Sequence, residues 1–215
     1  MVLVADSQTQ RVLEQLLTKR RKSLRIRPMN FRVFVHPERD PGCLNKPEAI
    51  LGGLAGSAQR ALLIFDHHGC GREQEPPEEL EEETRERLHR AGWDPRRVEV
   101  ILISPELEAW VWSDSQQVAQ CLGWEGTTAD LKRWMASEGL WQSNTEKPQR
   151  PKEALEAVLR TTGEGPPILV LVKLASRVSL ARCTDRAFAR LKQTLRKWFP
   201  AAGGDRRPRP GPSPR

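Results

Sequence analysis

The chain has 215 residues and a formal net charge of +7, with 38% hydrophobic and 29% charged residues. This composition predicts a soluble globular protein with room for one large domain or two small ones. No apolar run approaches the roughly 20 residues that a membrane-spanning helix needs, which excludes a transmembrane protein.

The first predicted element is a short buried strand over residues 1–5 (MVLVA), which ends at Asp6. Asp6 or Ser7 can cap the helix that follows, because its apolar residues recur at helical spacing. Basic residues gather where this helix ends, where they complement the helix dipole and could also face a phosphate backbone: Lys19, Arg20, Arg21, Lys22, Arg25 and Arg27. The N-terminal residues lack the basic and apolar segments of a signal peptide, so we expect a cytoplasmic protein.

The second and third strands are predicted over residues 30–35 (NFRVFV) and 61–65 (ALLIF). Residues 36–47 predict a loop, and a short helix over 46–54 connects it to the third strand. The third strand is apolar throughout, as expected for a strand buried on both faces. It runs directly into Asp66, His67 and His68 and then into a glycine-rich turn. Ligands of open α/β sheets bind at such carboxyl ends of strands.

An acidic helix is predicted over residues 73–90, with its glutamates on a solvated face, followed by a fourth strand over 98–103 (VEVILI). Pro105 is predicted to begin the next helix, since proline suits the first helical position. That segment carries two acids, Glu106 and Glu108. Leu107, Trp110 and Val111 share one helical face, which predicts that Trp110 is buried.

The C-terminal part of the chain is predicted to be helical and basic. Helices are expected over residues 127–139, 151–159 and 182–198, whereas 168–174 (ILVLVKL) fits a strand or a buried helix. We therefore expect an α/β core over residues 1–124, a helical portion over 125–200 packed on that core, and a disordered Pro/Arg tail over 201–215.

Positive charge is concentrated near the C-terminus. Residues 147–215 contain sixteen basic and five acidic residues, a net charge of +11. Such an asymmetry indicates contact with a polyanion, and nucleic acid is the commonest one. The candidates for phosphate contact are Arg150, Lys152, Lys173, Arg177 and Arg182. Solvated basic helix faces are the alternative interpretation of the same charge.

Three predicted strands end at acids, and parallel neighbouring strands would bring these acids together at one edge of the sheet. Hard oxygen ligands around an open site suit Mg²⁺ or Mn²⁺, which hold phosphates for hydrolysis or transfer. The metal-ligand candidates are Asp6, Asp66 and Glu108, with Glu106 and His68 as second choices for catalysis. The four cysteines lie far apart and form no CxxC pair, which argues against a disulfide framework and a zinc ribbon.

Five segments carry a resemblance to a known family: VLVADSQTQRVLEQLL, LLIFDHHGCGRE, PELEAWVW, KPQRPKEALEAVL and LASRVSLARCTDRAFARLKQTL. Together they resemble the TOPRIM-like proteins of bacterial phage-defence loci, including those of the methylation-associated defence system. The likeness covers residues 1–200. It implies a TOPRIM-like fold, other defence-system subunits as partners, and DNA or RNA near a divalent-metal site.

The chain departs from the TOPRIM pattern at two positions. Ala5, followed by Asp6, stands where the family carries glutamate, and His68 stands where it carries a second aspartate. Imidazole is a poor ligand for Mg²⁺. Two functions therefore stay open: a metal-dependent nuclease, or a non-catalytic assembly or sensor subunit that uses the same fold. Nucleophile-elbow, Walker A and dinucleotide-binding motifs are missing from the sequence.

Overall fold

Four parallel strands form the central sheet of the computed structural model, which describes residues 1–113, 115–142 and 144–201. The strands are β1 (Val2–Val4), β2 (Val33–Val35), β3 (Ala61–Asp66) and β4 (Val98–Ile103). Their order is β2-β1-β3-β4, with Leu3 opposite Phe34 and Leu63, and Leu63 opposite Val100. The prediction of an α/β fold with about four mainly parallel strands is confirmed.

Alternate strand residues point to opposite faces of the sheet, and each face has its own apolar core. One core contains Val4, Ile64 and Ile101; the other contains Leu63 and Phe65. The first face packs against α1 (Ser7–Lys19) and the C-terminal helices, and the second against α3 (Arg39–Asn45), α4 (Glu48–Leu51) and α5 (Pro77–Arg90). Helices therefore cover both faces, as expected.

The remaining helices are short or lie in the C-terminal part of the chain. They are α2 (Arg21–Leu24), α6 (Gln117–Cys121), α7 (Thr128–Ser137), α8 (Pro151–Thr162), α9 (Pro167–Arg177) and α10 (Arg186–Trp198), with 3₁₀ turns at Gly52–Leu54 and Leu107–Trp110. The segment whose type was open, 168–174, is helical. Its buried residues Val170, Leu171, Leu174 and Ala175 recur at helical spacing.

Buried side chains of α8, α9 and α10 belong to the same apolar cluster as those of β1, β3 and β4. Leu155, Leu174 and Leu191 are members of it together with Val4 and Ile64. The helical portion over 125–200 thus shares one hydrophobic core with the sheet. The predicted disordered tail lies, from residue 202 onward, outside the described residues.

The expectation that Pro105 begins a helix is wrong. The Ser104–Pro105 peptide bond is cis, and the 3₁₀ turn begins only at Leu107. His67 and His68 donate their backbone amides to the carbonyls of Ile103 (2.9 Å) and Pro105 (2.8 Å). The chain after β4 therefore continues alongside the end of β3, and this pairing prevents it from coiling at Pro105.

Not all glutamates of the acidic helix α5 lie on a solvated face, contrary to the sequence prediction. Glu81 is 1% exposed and accepts a hydrogen bond from the backbone amide of Leu102 at 2.8 Å. Its carboxylate also receives Arg186 at 3.0 Å and Arg190 at 3.2 Å from α10. Part of the C-terminal positive charge is therefore neutralised inside the molecule, against the edge strand β4.

None of the helices within the described residues is both long and apolar enough to cross a membrane. All four cysteines are free thiols, and three of them are buried.

Candidate functional site

The carboxyl ends of β1 and β3 lie side by side in the sheet. The chain leaves β1 through α1 toward β2 on one side, and leaves β3 through α5 toward β4 on the other side. Such a reversal opens a crevice at which open α/β sheets bind their ligands. Asp6 directly follows this end of β1, and Asp66 is the last residue of β3. Two of the three predicted metal ligands therefore lie at the crevice.

The surroundings of Asp66 disfavour its charged form. Its Oδ1 atom is buried and has no hydrogen-bond partner within the described residues. Burial raises the pKa of Asp66 well above its ordinary value, and the charges of Asp40, Glu108 and Asp6 raise it further. The backbone amide of Leu107 opposes this shift. The charges of the predicted acids Asp6 and Glu108 thus act on Asp66, whose buried Oδ1 has no hydrogen-bond partner among the described residues.

Asp40 is a fourth acid of the cluster, and it was missed because residues 36–47 were predicted to be a loop. It lies in the first turn of α3, and its Oδ1 accepts the backbone amide of Asp66 at 2.8 Å. Burial raises the pKa of Asp40, and the charge of Asp6 adds to the shift. No sequence motif marks Asp40, because its position depends on how α3 packs against β3.

The position of α3 depends on a close contact between Gly42 and His36. His36 is 3% exposed, follows β2, and accepts the amide of Glu38 at 3.1 Å through Nδ1. A Cβ atom on Gly42 would lie 2.1 Å from that same nitrogen. Only glycine therefore lets this turn of α3 lie against the imidazole, which places Asp40 beside Asp66.

Glu108 approaches the cluster from the turn after β4. It is 3% exposed, and its Oε1 accepts a hydrogen bond from Gln8 Nε2 of α1 at 2.7 Å. Burial raises the pKa of Glu108, the charge of Glu106 raises it further, and Lys152 lowers it. Asp6 has a structural contact as well, since its Oδ1 caps α1 at the amide of Thr9, 2.7 Å away.

A cleft of about 460 Å³ lies between residues 105–106 and the start of α8, and four of the predicted site residues line it: His68, Glu106, Arg150 and Lys152. Asp6, Asp40, Asp66 and Glu108 are not among the residues that line it. Glu106 accepts the backbone amide of Lys152 at the start of α8 (2.9 Å), and its other oxygen lies 3.5 Å from His68 Nδ1. The imidazole of His68 is 71% exposed. The cleft thus combines an imidazole–carboxylate pair with two cationic side chains.

The other three candidates for phosphate contact do not line this cleft. Lys173 forms an ion pair with Glu164 at 3.1 Å, and the charges of Lys173 and Arg177 act on Cys121 of α6. Arg182 lies in the connection between α9 and α10. The structure therefore brings Arg150 and Lys152 to the acidic edge and leaves Lys173, Arg177 and Arg182 elsewhere.

The carboxylate oxygens at the carboxyl end of the sheet are ligands that suit Mg²⁺ or Mn²⁺, although the described residues do not form a complete set of metal ligands. Within residues 1–113, 115–142 and 144–201, no group of three or more His, Cys, Asp or Glu side chains is arranged to hold a metal ion. Mg²⁺ does not require one, because it keeps several waters and binds through one or two carboxylates together with substrate phosphates. Asp66, with its unpartnered Oδ1, and Asp40 beside it meet that requirement.

We expect the cation-free protein to lose stability as the pH rises from about 5 to 7. The folded-state pKa values of Asp66, Asp40 and Glu108 are raised, so their stabilising contribution is complete below the unfolded pKa and disappears as the pH rises through the folded values. Asp130, whose pKa is lowered to about 2, loses its own contribution only under more acidic conditions. Urea unfolding in EDTA should show this slope, and Asp66→Asn should flatten it. A parent protein whose stability does not fall over this range contradicts the assignment.

A comparison of the chain with known proteins finds no family model, no curated protein and no solved structure that matches it.

Proposed function

We propose that this protein is a divalent-cation-dependent enzyme that acts on phosphodiesters of DNA or RNA, as a cytoplasmic component of a bacterial methylation-associated defence system. The resemblance of its sequence motifs to TOPRIM-like defence proteins supports the cellular role. The observation that carries the chemical proposal is the buried, unpartnered Oδ1 of Asp66 among Asp6, Asp40 and Glu108 at the carboxyl edge of a parallel sheet.

In this proposal Asp66 and Asp40 would hold Mg²⁺ or Mn²⁺, and the charges of Asp6 and Glu108 would add to the negative environment. Such a cation would supply Lewis-acid chemistry and would neutralise phosphate charge. Lys152 and Arg150 attract the phosphodiester into the cleft, and the N-terminus of α8 adds its positive dipole end. Water attacks the phosphorus as the P–O bond to the leaving oxygen breaks, and His68, held beside Glu106, donates a proton to that leaving oxygen.

Cleavage of labelled single- and double-stranded DNA and RNA in the presence of Mn²⁺ tests this function. We expect the parent to cleave at least one of these substrates, and Asp66→Asn to reduce the rate at least about a hundredfold, because the isosteric amide keeps the shape and loses the charge. Glu153→Gln is the matched control, since Glu153 lines the same cleft but is 60% exposed and forms a surface ion pair with Arg150. Full activity of Asp66→Asn contradicts the proposal.

A non-catalytic assembly or sensor subunit is the second candidate, and a specific observation favours it. Asp6 caps α1, Glu106 receives the amide that begins α8, and Glu108 binds Gln8. These acids thus already serve structural contacts in the absence of a cation. A parent protein that cleaves none of the four substrates, yet folds normally, supports this scaffold function.

A further inference from the structure

A second groove lies at the amino end of the sheet, opposite the acidic edge. It encloses about 890 Å³ where residues 28–32 lead into β2 and residues 57–60 lead into β3. Four arginines and two aromatic rings line it: Arg21, Arg27, Arg32, Arg60, Phe31 and Phe199. A neighbouring depression of about 340 Å³ shares Arg27, Arg60 and Phe199 and adds Arg97 and Trp198. We call these two connected hollows the amino-end groove.

The charge of the amino-end groove is not neutralised. No acidic residue is found among the described residues that line it. Arg27 and Arg32 are exposed, and neither forms an ion pair with any carboxylate in the part of the chain that the structure describes. Arg186, Arg190 and Lys147, by contrast, are each paired with an acid. The groove is therefore a site at which unpaired cationic side chains accumulate.

Arg60 supplies an independent sign that a partner is missing. Its Nε atom is buried and has no hydrogen-bond partner among the described residues, whereas Nη1 donates to the carbonyl of Gln59. A buried guanidinium nitrogen without an acceptor is costly. An anionic oxygen in the groove would satisfy it.

Aromatic rings alternate with the arginines in the groove. The guanidinium carbon of Arg27 lies 5.5 Å from the ring centre of Phe199, and that of Arg60 lies 5.8 Å from the ring centre of Trp198. Phe31, Trp198 and Phe199 are half-buried residues that pack against the core. Positive charge that follows a phosphate backbone, combined with rings on which bases stack, is how proteins bind single-stranded nucleic acid.

We propose that the amino-end groove binds single-stranded nucleic acid, at a site separate from the acids Asp6, Asp40, Asp66 and Glu108. β3 has six residues and spans about 20 Å between the two ends of the sheet. Arginines 27 and 32 contact phosphates, Arg60 binds a phosphate oxygen through Nε, and Phe31 stacks on an unpaired base. A duplex offers no unpaired base for this ring. This binding requires neither a divalent cation nor catalysis, so it does not depend on the proposed enzymatic function.

Binding of a fluorescent single-stranded oligonucleotide in EDTA tests the proposal. The double variant Arg27→Gln/Arg32→Gln should weaken binding at low salt at least about tenfold. It should also flatten the dependence of log affinity on log salt by about 1.4, since each neutralised phosphate of a single strand contributes roughly 0.7. The matched control is Arg133→Gln/Arg160→Gln, which removes the same charge from exposed positions on α7 and α8 and should change affinity less than about twofold.

A substitution of the aromatic ring separates stacking from charge. Phe31→Leu keeps apolar contact with the core and should weaken binding by about five- to a hundredfold without changing the salt slope. Unchanged affinity of Arg27→Gln/Arg32→Gln overturns the proposal, and so does equal displacement of the oligonucleotide by poly-glutamate. Because the binding assay contains EDTA, a parent protein that binds the oligonucleotide but cleaves no nucleic acid contradicts the proposed enzymatic function alone.

Discussion

Replacement of Arg186 and Arg190 together by Met is expected to destabilise the protein by about 3–5 kcal/mol, because a buried carboxylate then loses both of its cations. Glu81 is only 1% exposed, and these two arginines of α10 are its ion-pair partners. The methionines keep most of the apolar contact along the arginine stems. Urea unfolding of the parent and the double variant measures the difference in the free energy of unfolding.

A third substitution tests whether charge burial causes that loss. Glu81→Gln in the double-variant background removes the buried carboxylate charge that has lost its arginine partners. The side-chain oxygen of the glutamine can still accept a hydrogen bond from the backbone amide of Leu102. We expect more than half of the lost stability to return. Glu82→Gln is the matched control, since Glu82 is 61% exposed on the same helix and its change should cost less than about 0.5 kcal/mol. A triple variant no more stable than the double variant excludes the ion-pair explanation.

Substitution of Trp110 by Ala is expected to cost about 3–5 kcal/mol, as is typical for a large aromatic side chain in a core. Trp110 is 8% exposed and packs edge-to-face on Phe188, with 5.0 Å between the ring centres. Its Nε1 donates to Asp185 at 2.9 Å, and Asp185 also caps α10 and pairs with Lys147. Removal of the indole therefore opens a cavity and disturbs the start of α10.

Trp110→Phe separates packing from the hydrogen bond. The phenyl ring retains most of the buried apolar area but cannot donate to Asp185, so we expect a loss of about 1 kcal/mol. Thermal or urea unfolding of both variants gives the comparison. A Trp110→Ala variant with near-parental stability would show that this ring is not part of the core, and its role on the surface would then need to be reconsidered.

The elements that the sequence predicts best are those whose signal is local. Residues 61–65 and 98–103 are apolar runs that end at acids, and both form parallel strands with Asp66 and the Glu106–Glu108 turn at their carboxyl ends. Because parallel strands align their carboxyl ends, the convergence of Asp6, Asp66 and Glu108 follows from strand direction alone. Trp110 is buried as predicted, but the segment forms a 3₁₀ turn in which Glu108 and Ala109 are buried too, so the predicted α-helical face is not the reason for its burial.

The features that the sequence does not predict depend on contacts between distant segments. Asp40 reaches Asp66 because Gly42 lets α3 approach His36, and no local pattern marks that approach. Pro105 does not begin a helix because residues 103–105 pair with the loop after β3. Some basic C-terminal residues line a cleft, as Arg150 and Lys152 do, whereas others form ion pairs inside the molecule. A count of charges in the sequence cannot separate these two groups.

Titration of the protein with Mn²⁺, followed by unfolding, tests the cation site most directly. At 100 times its dissociation constant, a ligand that binds only the folded protein stabilises it by about 2.7 kcal/mol. The stabilisation should grow from pH 5 to 7, because Mn²⁺ must displace the protons that the raised pKa values of Asp66 and Asp40 retain. We expect this response for the parent and for Glu153→Gln, and its loss in Asp66→Asn. Equal stabilisation of Asp66→Asn, or none in the parent, would contradict a cation site at the carboxyl edge.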